Sequence, residues 1–248
     1  MKTAFLSDLH ANREAVEAVI EHARFQGAQA WVLLGDFVGY GADPGWVVDT
    51  AHRLVREEGA LAVQGNHDLA VVRGVSPGMR AEAAHVIGWT REHLSAEQVA
   101  FLAELPLVQT RGDQLYVHAN AWAPAGWDYI TGRSEAMRSM HATDCRFTFC
   151  GHMHEPRLFH ISGTGKAGDF TPTPGVPIPV PPHRQWLIIP GSAGQPRDGN
   201  PAACYAMFDD VACSITYHRV PYDHEGAGAK ILAAQLPQRL ATRLEEGQ

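Results

Sequence analysis

Five short segments of this chain place metal-ligand residue types directly after an apolar run. They are Asp8-Leu9-His10, Gly35-Asp36, Gly65-Asn66-His67-Asp68, His118 and Gly151-His152-Met153-His154. The preceding runs are short and rich in β-branched or aromatic residues, which is typical of buried strands. If these strands share a sheet and run parallel, their carboxyl ends meet at one edge, where open α/β sheets bind ligands. The sequence therefore predicts a polar site at that edge.

The rest of the chain fits an α/β protein. Asn12 can cap a helix, and Asp43-Pro44 has the cap-then-proline order of a second helix start. This strand–helix alternation predicts parallel strands with right-handed crossovers. Residues 77–105 are predicted to be helical, and a final helix is predicted near 225–234. Further strands are predicted at 115–118, 146–150, 186–190, 203–208 and 212–217, which favours a mixed sheet with helices on its faces.

One segment departs from this pattern. Residues 171–182 contain six prolines, so they can form neither a helix nor a central strand. We predict one domain over residues 1–248, with a proline-rich insertion at 163–184. The insertion is either a surface excursion, which we favour, or a lid over the site.

Composition narrows the functional classes. The chain has 20 Lys and Arg against 27 Asp and Glu, a net charge of −7, which argues against a stable nucleic-acid complex. No apolar stretch approaches the roughly 18 residues of a membrane span, and the amino terminus leads straight into a strand, leaving no room for a signal peptide. The cysteines lack CxxC spacing, as expected of thiols in a reducing compartment. We expect a cytoplasmic protein that does not engage a membrane, and its oligomeric state stays open.

The ligand types predict the class of metal. Carboxylates, imidazoles and a carboxamide suit Mn²⁺, Fe, Zn²⁺ or Co²⁺. Alternation along an extended chain would put Asp8 and His10 on one side, and His152 and His154 likewise. Six or seven ligands are too many for one catalytic ion with an open position. They suit two ions about 3.5–4 Å apart that share one carboxylate.

The ordered set Asp-x-His, Gly-Asp, Gly-Asn-His-Asp, a lone His and Gly-His-x-His resembles the calcineurin-like metallophosphoesterases. Residues 35–44, 190–198 and 220–223 are similar to the small bacterial and archaeal phosphodiesterase branch of that family. The resemblance implies a four-layer αββα sandwich with mixed sheets and a metal site at the C-terminal ends of strands. It also implies hydrolysis of phosphodiester or phosphoanhydride bonds by in-line attack of a hydroxide held between two metal ions.

The resemblance implies a role for each site residue. One metal would be held by Asp8, His10, Asp36 and His154, and the other by Asp36, Asn66, His118 and His152. His67 would face the phosphate, where it stabilises charge or protonates the leaving oxygen, and Asp68 or a backbone carbonyl would orient it. Asp68 has an alternative role as a cap of the following segment. The implied cofactor is a pair of divalent ions, with Mn²⁺ favoured over Fe, Zn²⁺, Co²⁺ and Ni²⁺.

Two positions depart from the family pattern near the metal ligands. Ala11 stands where glycine is usual after the first metal-binding histidine. His118 is followed by Ala119-Asn120 instead of glycine, so Asn120 is a candidate substrate contact, and Asn66 is another.

A third departure concerns the substrate. The Ser/Thr protein phosphatases and the symmetrical dinucleotide hydrolases carry an arginine where this chain has Gly39-Tyr40-Gly41. A protein phosphatase is therefore disfavoured. Arg197 is a candidate replacement for the missing phosphate-binding arginine, and Tyr40 is a candidate for stacking on an aromatic leaving group. Ser192 either contacts a phosphate or belongs to a tight turn.

The favoured function is a metal-dependent phosphodiesterase that acts on a small, soluble phosphorylated substrate, with nucleotides among the candidates. The alternatives are an asymmetrical dinucleoside polyphosphate hydrolase and a phosphomonoesterase. A non-catalytic scaffold is disfavoured: the retromer scaffold subunit shares this fold but lacks the catalytic histidine, whereas this chain retains His67.

Overall fold

The computed structural model describes residues 1–75 and 81–248, and its strands form two mixed sheets. The first sheet has the order β3 (Leu61–Ala62), β2 (Ala30–Leu33), β1 (Lys2–Leu6), β11 (Ala203–Asp209), β12 (Ser214–Val220), β9 (Ile178–Pro179). The second has the order β4 (Val108–Arg111), β5 (Gln114–Val117), β6 (Phe147–Phe149), β10 (Arg184–Pro190), β7 (Pro156–Ser162), β8 (Ala167–Phe170). Pairing is parallel between β1, β2 and β3 and between β5, β6 and β10.

Helices cover the outer faces of both sheets. They are α1 (Arg13–Phe25), α2 (Pro44–Glu58), α3 (Asn66–Arg73), α4 (Ala81–Glu92), α5 (Ala96–Glu104), α6 (Arg133–His141), α7 (His224–Ala233) and α8 (Gln238–Glu246). One apolar cluster joins α1, α2, α3 and α5 to the first sheet, and another joins α6 to the second. The implied αββα arrangement is confirmed. None of the helices described is both long and apolar enough to cross a membrane.

An aromatic core holds the two sheets together. On β1, Phe5 faces the second sheet while its neighbours Ala4 and Leu6 face the helices, as alternation in a strand requires. The ring of Phe5 stacks on that of Phe149 from β6, with centroids 3.8 Å apart. Phe208 packs against Phe149 from the first-sheet side. Because both faces of β1 are buried, its sequence is a continuous apolar run.

The ligand segments share an edge but not a sheet. Asp8, Asp36 and Asn66 follow β1, β2 and β3, whereas His118 and His152 follow β5 and β6 of the other sheet. The expectation of a single shared sheet is therefore wrong. The site forms nonetheless, because the two sheets face each other with the carboxyl ends of these strands on the same side.

Local pairing explains the elements that the sequence did not predict. The helical prediction over 77–105 is borne out by α4 and α5, and its first residues lie outside the described part of the chain. Ser95 and Gln98 form the capping box expected at the start of α5. Strands β4, β7, β8 and β9 and helix α6 were missed. The β8 segment, residues 167–170, has no apolar pattern and extends only because it pairs with β7.

The proline-rich insertion joins the first sheet at the end opposite to the predicted site. Its residues 178–179 form the edge strand β9, which pairs with the first residues of β12. Asp209 lies opposite Lys2 on one side and Ser214 on the other, and Ser214 pairs with β9. Strand β9 is therefore level with the amino-terminal end of β1, whereas Asp8 follows the carboxyl end of β1. The lid alternative is therefore wrong. Val180 of the insertion instead packs in the core between the two sheets, where its side chain is fully buried.

We expect Val180→Ala to destabilise the fold by about 2 kcal/mol, because it removes two buried methyl groups and leaves a cavity. Urea unfolding followed by circular dichroism measures this. Val176→Ala in the same insertion is the matched control, since Val176 is 50% exposed. Equal midpoints for the two variants would contradict the anchoring role of Val180.

Candidate metal centre

Three of the ligand-bearing segments, those after β1, β2 and β6, leave their strands through left-handed backbone conformations. The φ angles are 55° at Asp8, 46° at His10, 54° at Asp36, 67° at His152 and 60° at His154. Asp8 and His10 therefore point to the same side because the chain turns tightly between them, and the same holds for His152 and His154. The prediction attributed this arrangement to alternation along an extended chain, and that reason is wrong. Left-handed conformations cost about 1–2 kcal/mol per residue outside glycine and cluster at functional sites.

Small residues allow these turns to pack against one another. A Cβ at Gly65 would lie 2.2 Å from Oδ1 of Asp36, and a Cβ at Gly151 would lie 1.7 Å from Oγ of Ser7. Ala11 has a φ of 52°, which is the conformation that the usual glycine would adopt without strain. The departure at Ala11 therefore leaves the turn intact.

The first ligand group joins β1 and the segment after β6. The Nε2 atom of His154 lies 3.4 Å from Oδ1 of Asp8 and 3.1 Å from Nε2 of His10. The opposite ring nitrogens are held by backbone carbonyls: Nδ1 of His10 is 3.0 Å from O of Val38, and Nδ1 of His154 is 2.6 Å from O of Gln195. All three ligand-type side chains are buried.

The second group brings together three different loops. The Nε2 atom of His118 lies 3.1 Å from Oδ1 of Asn66 and 3.2 Å from Nδ1 of His152. The other nitrogen of each ring again lies beside a backbone carbonyl. Nδ1 of His118 is 2.7 Å from O of Leu34, and Nε2 of His152 is 3.0 Å from O of Trp127. Such contacts fix the tautomer and orientation of a metal-binding imidazole.

Asp36 lies between the two groups. Its Oδ2 atom is 3.7 Å from Nε2 of His10 and 3.3 Å from Nε2 of His118, while Oδ1 accepts the backbone N–H of His67 at 2.9 Å. The carboxylate is thus fixed by one oxygen and shared between both histidine groups by the other.

The donor set fits divalent cations. A neutral imidazole carries one hydrogen, and in His10 and His154 that hydrogen is used by the contacts to Val38 and Gln195. Their Nε2 atoms therefore present lone pairs to each other across 3.1 Å, an arrangement that a cation stabilises and that is repulsive without one. Three groups of such ligand atoms lie within reach of a common ion: Asp8, His10 and His154; His10, Asp36 and His67; Asp36, His118 and His152.

The electrostatics of the buried groups support the same conclusion. Burial lowers the pKa of His10 and His154 well below the usual imidazole range, and burial together with the charge of His118 lowers that of His152 to about 3. These imidazoles are neutral, as metal ligands must be. Although burial opposes it, Asp36 and Asp8 raise the pKa of His118 to about 9. The carboxylates therefore attract positive charge to the centre of the cluster.

His67 lies beside the ligand groups and faces a cavity. Its ring is 5.0 Å from that of His10 and 4.5 Å from that of Tyr40, and the guanidinium of Arg197 lies 5.7 Å from the Tyr40 ring. A Cβ at Gly39 would approach Nδ1 of His67 to 2.5 Å. Tyr40, Arg197 and His67 thus form one polar and aromatic face at the rim of the ligand cluster.

Asp68 does not orient His67. One carboxylate oxygen accepts the backbone N–H groups of Asp36 and Gly65 at 2.9 and 2.8 Å, and the other accepts those of Phe37 and Val38 at 2.9 and 3.4 Å. The prediction that Asp68 orients His67 is corrected accordingly: the carboxylate holds the loop that carries Asp36, and the capping alternative is the one observed.

Three other polar residues also support loops. Asn120 is buried, with Nδ2 donating to O of Asp128 and Oδ1 accepting from N of Ala123, so the prediction that it contacts substrate is wrong. Ser192 donates to O of Asp8 and accepts from N of Gln195, as in a tight turn. Asn12 caps α1 through N of Ala15, as predicted.

The comparisons with known proteins agree with this geometry. Residues 1–211 match the calcineurin-like phosphoesterase superfamily domain. The chain belongs to the calcineurin-like phosphoesterase superfamily. This phosphoesterase is 34% identical to an uncharacterized protein of Methanocaldococcus jannaschii over 97% of its own length and 96% of the relative's.

Solved structures give the same result for the fold. A metallophosphoesterase from Sphaerobacter thermophilus is 34% identical, with a TM-score of 0.88 and coverage of 100% and 99% of the two chains. A hypothetical protein from Pyrococcus horikoshii shares the fold at 18% identity, with a TM-score of 0.79 and coverage of 100% and 98%. The family is divalent-metal dependent, and the clusters of His and Asp in this phosphoesterase suit that requirement.

Sequence reasoning missed three residues around the site. Gln195 binds His154 through its carbonyl and Arg197 through its side chain, at 2.6 and 3.0 Å. The carbonyl of Trp127 binds His152, and the ring of Tyr129 stacks on the His152 imidazole with centroids 4.1 Å apart. The resemblance at residues 190–198 could have pointed to Gln195. The loop of Trp127 and Tyr129 carries no motif that would mark it.

We expect Asp68→Asn to weaken Mn²⁺ binding by roughly 10- to 100-fold, as for other residues that position metal ligands. The side-chain amide of this variant has one acceptor oxygen where the carboxylate has two. Its NH₂ group would face backbone N–H groups, which are also donors. Isothermal titration of metal-free protein with Mn²⁺ measures the effect. Asp49→Asn is the control, since Asp49 lies on α2 and its Oδ1 accepts from Nε2 of Gln98 on α5. Unchanged affinity in Asp68→Asn would contradict this role.

Proposed function

We propose that the chain acts as one metallophosphoesterase domain that hydrolyses phosphodiester or phosphoanhydride bonds with two divalent ions, Mn²⁺ being favoured. The observation that supports this most strongly is the sharing of the Asp36 carboxylate between two histidine groups, with contacts of 3.7 and 3.3 Å from one oxygen. A single ion could not use both groups and keep an open position. The substrate is proposed to be a small phosphorylated compound, and a cytoplasmic location stays a prediction.

The proposed ligand sets follow the two groups. Asp8, His10, Asp36 and His154 would hold one ion, and Asp36, Asn66, His118 and His152 the other. When bound, the ions supply Lewis acidity that lowers the pKa of a water and withdraws charge from the phosphate oxygens. Asp36 fixes the spacing of the two sets, because its second oxygen is tied to the backbone of His67.

His67 is proposed to act on the phosphate and not as a ligand. Its ring opens towards the cavity beside Tyr40, whereas the rings of His10 and His118 are buried within the two groups. From there a ring N–H can donate to a phosphate oxygen and pass its proton to the leaving oxygen as the bond to phosphorus breaks. Gly39 and Tyr40 hold the ring in this position.

Arg197 is proposed to donate to the substrate phosphate. Its Nη2 atom binds Oε1 of Gln195 at 3.0 Å, and its Nε atom is buried without a partner among the described residues. The guanidinium lies on the same face as His67, near the ring of Tyr40. It supplies positive charge beside the histidines, from a different point in the sequence than the arginine of the protein phosphatases, which would fall at residues 39–41.

The direct test uses protein stripped of metal and refilled with Mn²⁺. We expect that the protein hydrolyses bis(p-nitrophenyl) phosphate only when the metal is added. The absorbance of the released p-nitrophenolate measures this turnover. p-Nitrophenyl phosphate, assayed in parallel, distinguishes a diesterase from a monoesterase, and diadenosine tetraphosphate tests for hydrolysis of phosphoanhydride bonds. A protein that binds Mn²⁺ but turns over none of the three compounds would contradict the proposal and favour a scaffold.

We expect His67→Ala to lower kcat by roughly 100-fold or more, as for the loss of a general acid, while the amount of bound Mn²⁺ measured by elemental analysis stays unchanged. Unchanged turnover would rule out the assigned role, and loss of metal would mean that His67 is a ligand.

A pair of glycine variants tests the positioning of His67 without removing it. Gly39 and Gly59 have φ angles of 88° and 68°, so alanine is strained at both. At position 39 the new Cβ would meet another side chain, Nδ1 of His67, whereas at position 59 no atom of the described residues lies within 4 Å. Gly39→Ala should therefore lower kcat, and Gly59→Ala should only lower the melting temperature.

A further inference from the structure

A cavity of about 240 Å³ opens beside His67, between α4 and α8. It is lined by Tyr40, His67, Glu82, Ala83, Val86, Ile87, Arg239 and Leu240. Sites that enclose a whole drug-sized ligand measure roughly 300–1,000 Å³. This cavity is smaller, so it suits one part of a substrate whose reacting phosphate lies at the metal ligands.

The walls of the cavity suit a flat ring. Val86 and Leu240 are buried in an apolar cluster that packs α4, α7 and α8 together, and Tyr40 packs against the same cluster. The aromatic ring of Tyr40 thus forms one wall, and aliphatic side chains form another. Because these side chains are held by helix packing, the cavity keeps its shape without a ligand.

The mouth of the cavity carries positive charge. Arg239 forms an ion pair with Glu82 across the opening, and Arg243 lies one helical turn further along α8, on the same face. The nearby charges of Arg197 and Arg239 add to burial in lowering the pKa of Arg243, which agrees with three guanidinium groups gathered near Tyr40. Among the described residues that line the cavity, only Glu82 carries a carboxylate that offsets them.

The helix that supplies this charge lies outside the shared family domain, which ends at residue 211. It is tied to the site by the hydrogen bond from N of Gly199 to O of Gly247 at 2.9 Å, close to the loop that bears Arg197. The residues proposed to act in catalysis therefore lie within the part of the chain that matches the family. Helix α8 lies beyond that part and can select the substrate.

We propose that this cavity binds the leaving group of the substrate, and that the leaving group is a nucleotide, with its base against Tyr40 and a further phosphate at the arginines. This assignment rests on the proposed function. In the reaction one water adds to phosphorus, the bond between phosphorus and the leaving oxygen breaks, and His67 gives that oxygen a proton. The products are two phosphate-bearing compounds.

Two variants of one ion pair test the charge at the mouth. With Mn²⁺ and diadenosine tetraphosphate, Arg239→Gln should raise KM roughly 10-fold, because it loses a charge-assisted contact. Glu82→Gln should lower KM, because it removes the repulsive carboxylate. For bis(p-nitrophenyl) phosphate, whose leaving group has a ring but no further phosphate, KM should change less than about twofold in both.

A purely structural role gives a different result. Both variants break the same pair between α4 and α8, so a structural role moves KM in the same direction for both, and equally for both substrates. That outcome would overturn the assignment. Arg56→Gln, an exposed arginine on α2, should leave KM unchanged, and melting temperatures verify that each variant is folded.

A binding measurement separates this assignment from the catalytic proposal. In calorimetry on metal-free protein, AMP should bind at least roughly 10-fold more tightly than ribose 5-phosphate, because only AMP carries a base for the apolar wall. Equal affinities, or no binding of AMP, would overturn the cavity assignment. Absence of turnover in the Mn²⁺-loaded wild type would contradict the proposed function, and the AMP titration would still decide what the cavity binds.

Discussion

The site depends on pairs of imidazole nitrogens that face each other at close range. His10 and His154 approach to 3.1 Å and His118 and His152 to 3.2 Å, and backbone carbonyls on the far side of each ring fix these orientations. Such an arrangement is unfavourable in an apolar protein interior unless positive charge lies between the nitrogens. Against the effect of burial, Asp36 and Asp8 raise the pKa of His118 to about 9, so the cluster favours positive charge. Divalent cations would supply that charge, and the rest of the architecture holds the cluster together.

The two-sheet fold is what makes this density of ligands attainable. One sheet provides Asp8, Asp36 and Asn66 and the other provides His118 and His152, so the ligands approach from two sides. The stacked pair of Phe5 and Phe149, with centroids 3.8 Å apart, fixes the sheets close behind the site. The segments after β1, β2 and β6 then turn sharply through left-handed residues. The carboxylate of Asp68 accepts four backbone N–H groups and so holds the loop that carries Asp36.

Much of this was predictable from the sequence, for physical reasons that differ between residues. The apolar runs and the polar residues after them identify the strand ends, because buried parallel strands cannot carry such side chains within their length. The division into two sheets could not be predicted from the residue types, because the sequences of β5 and β6 are as apolar as that of β1. The roles of Asp68 and Asn120 were misjudged for a related reason. A buried polar side chain near a site looks the same in sequence whether it faces the substrate or holds a loop, and only its hydrogen-bond partners distinguish the two.

Whether two cations share the Asp36 carboxylate is decided by an anomalous difference map from crystals of the Mn²⁺-loaded protein. We expect two peaks about 3.5–4 Å apart on either side of Asp36, one against Asp8, His10 and His154 and the other against Asn66, His118 and His152. A single peak at saturating Mn²⁺, or peaks away from these side chains, would contradict it.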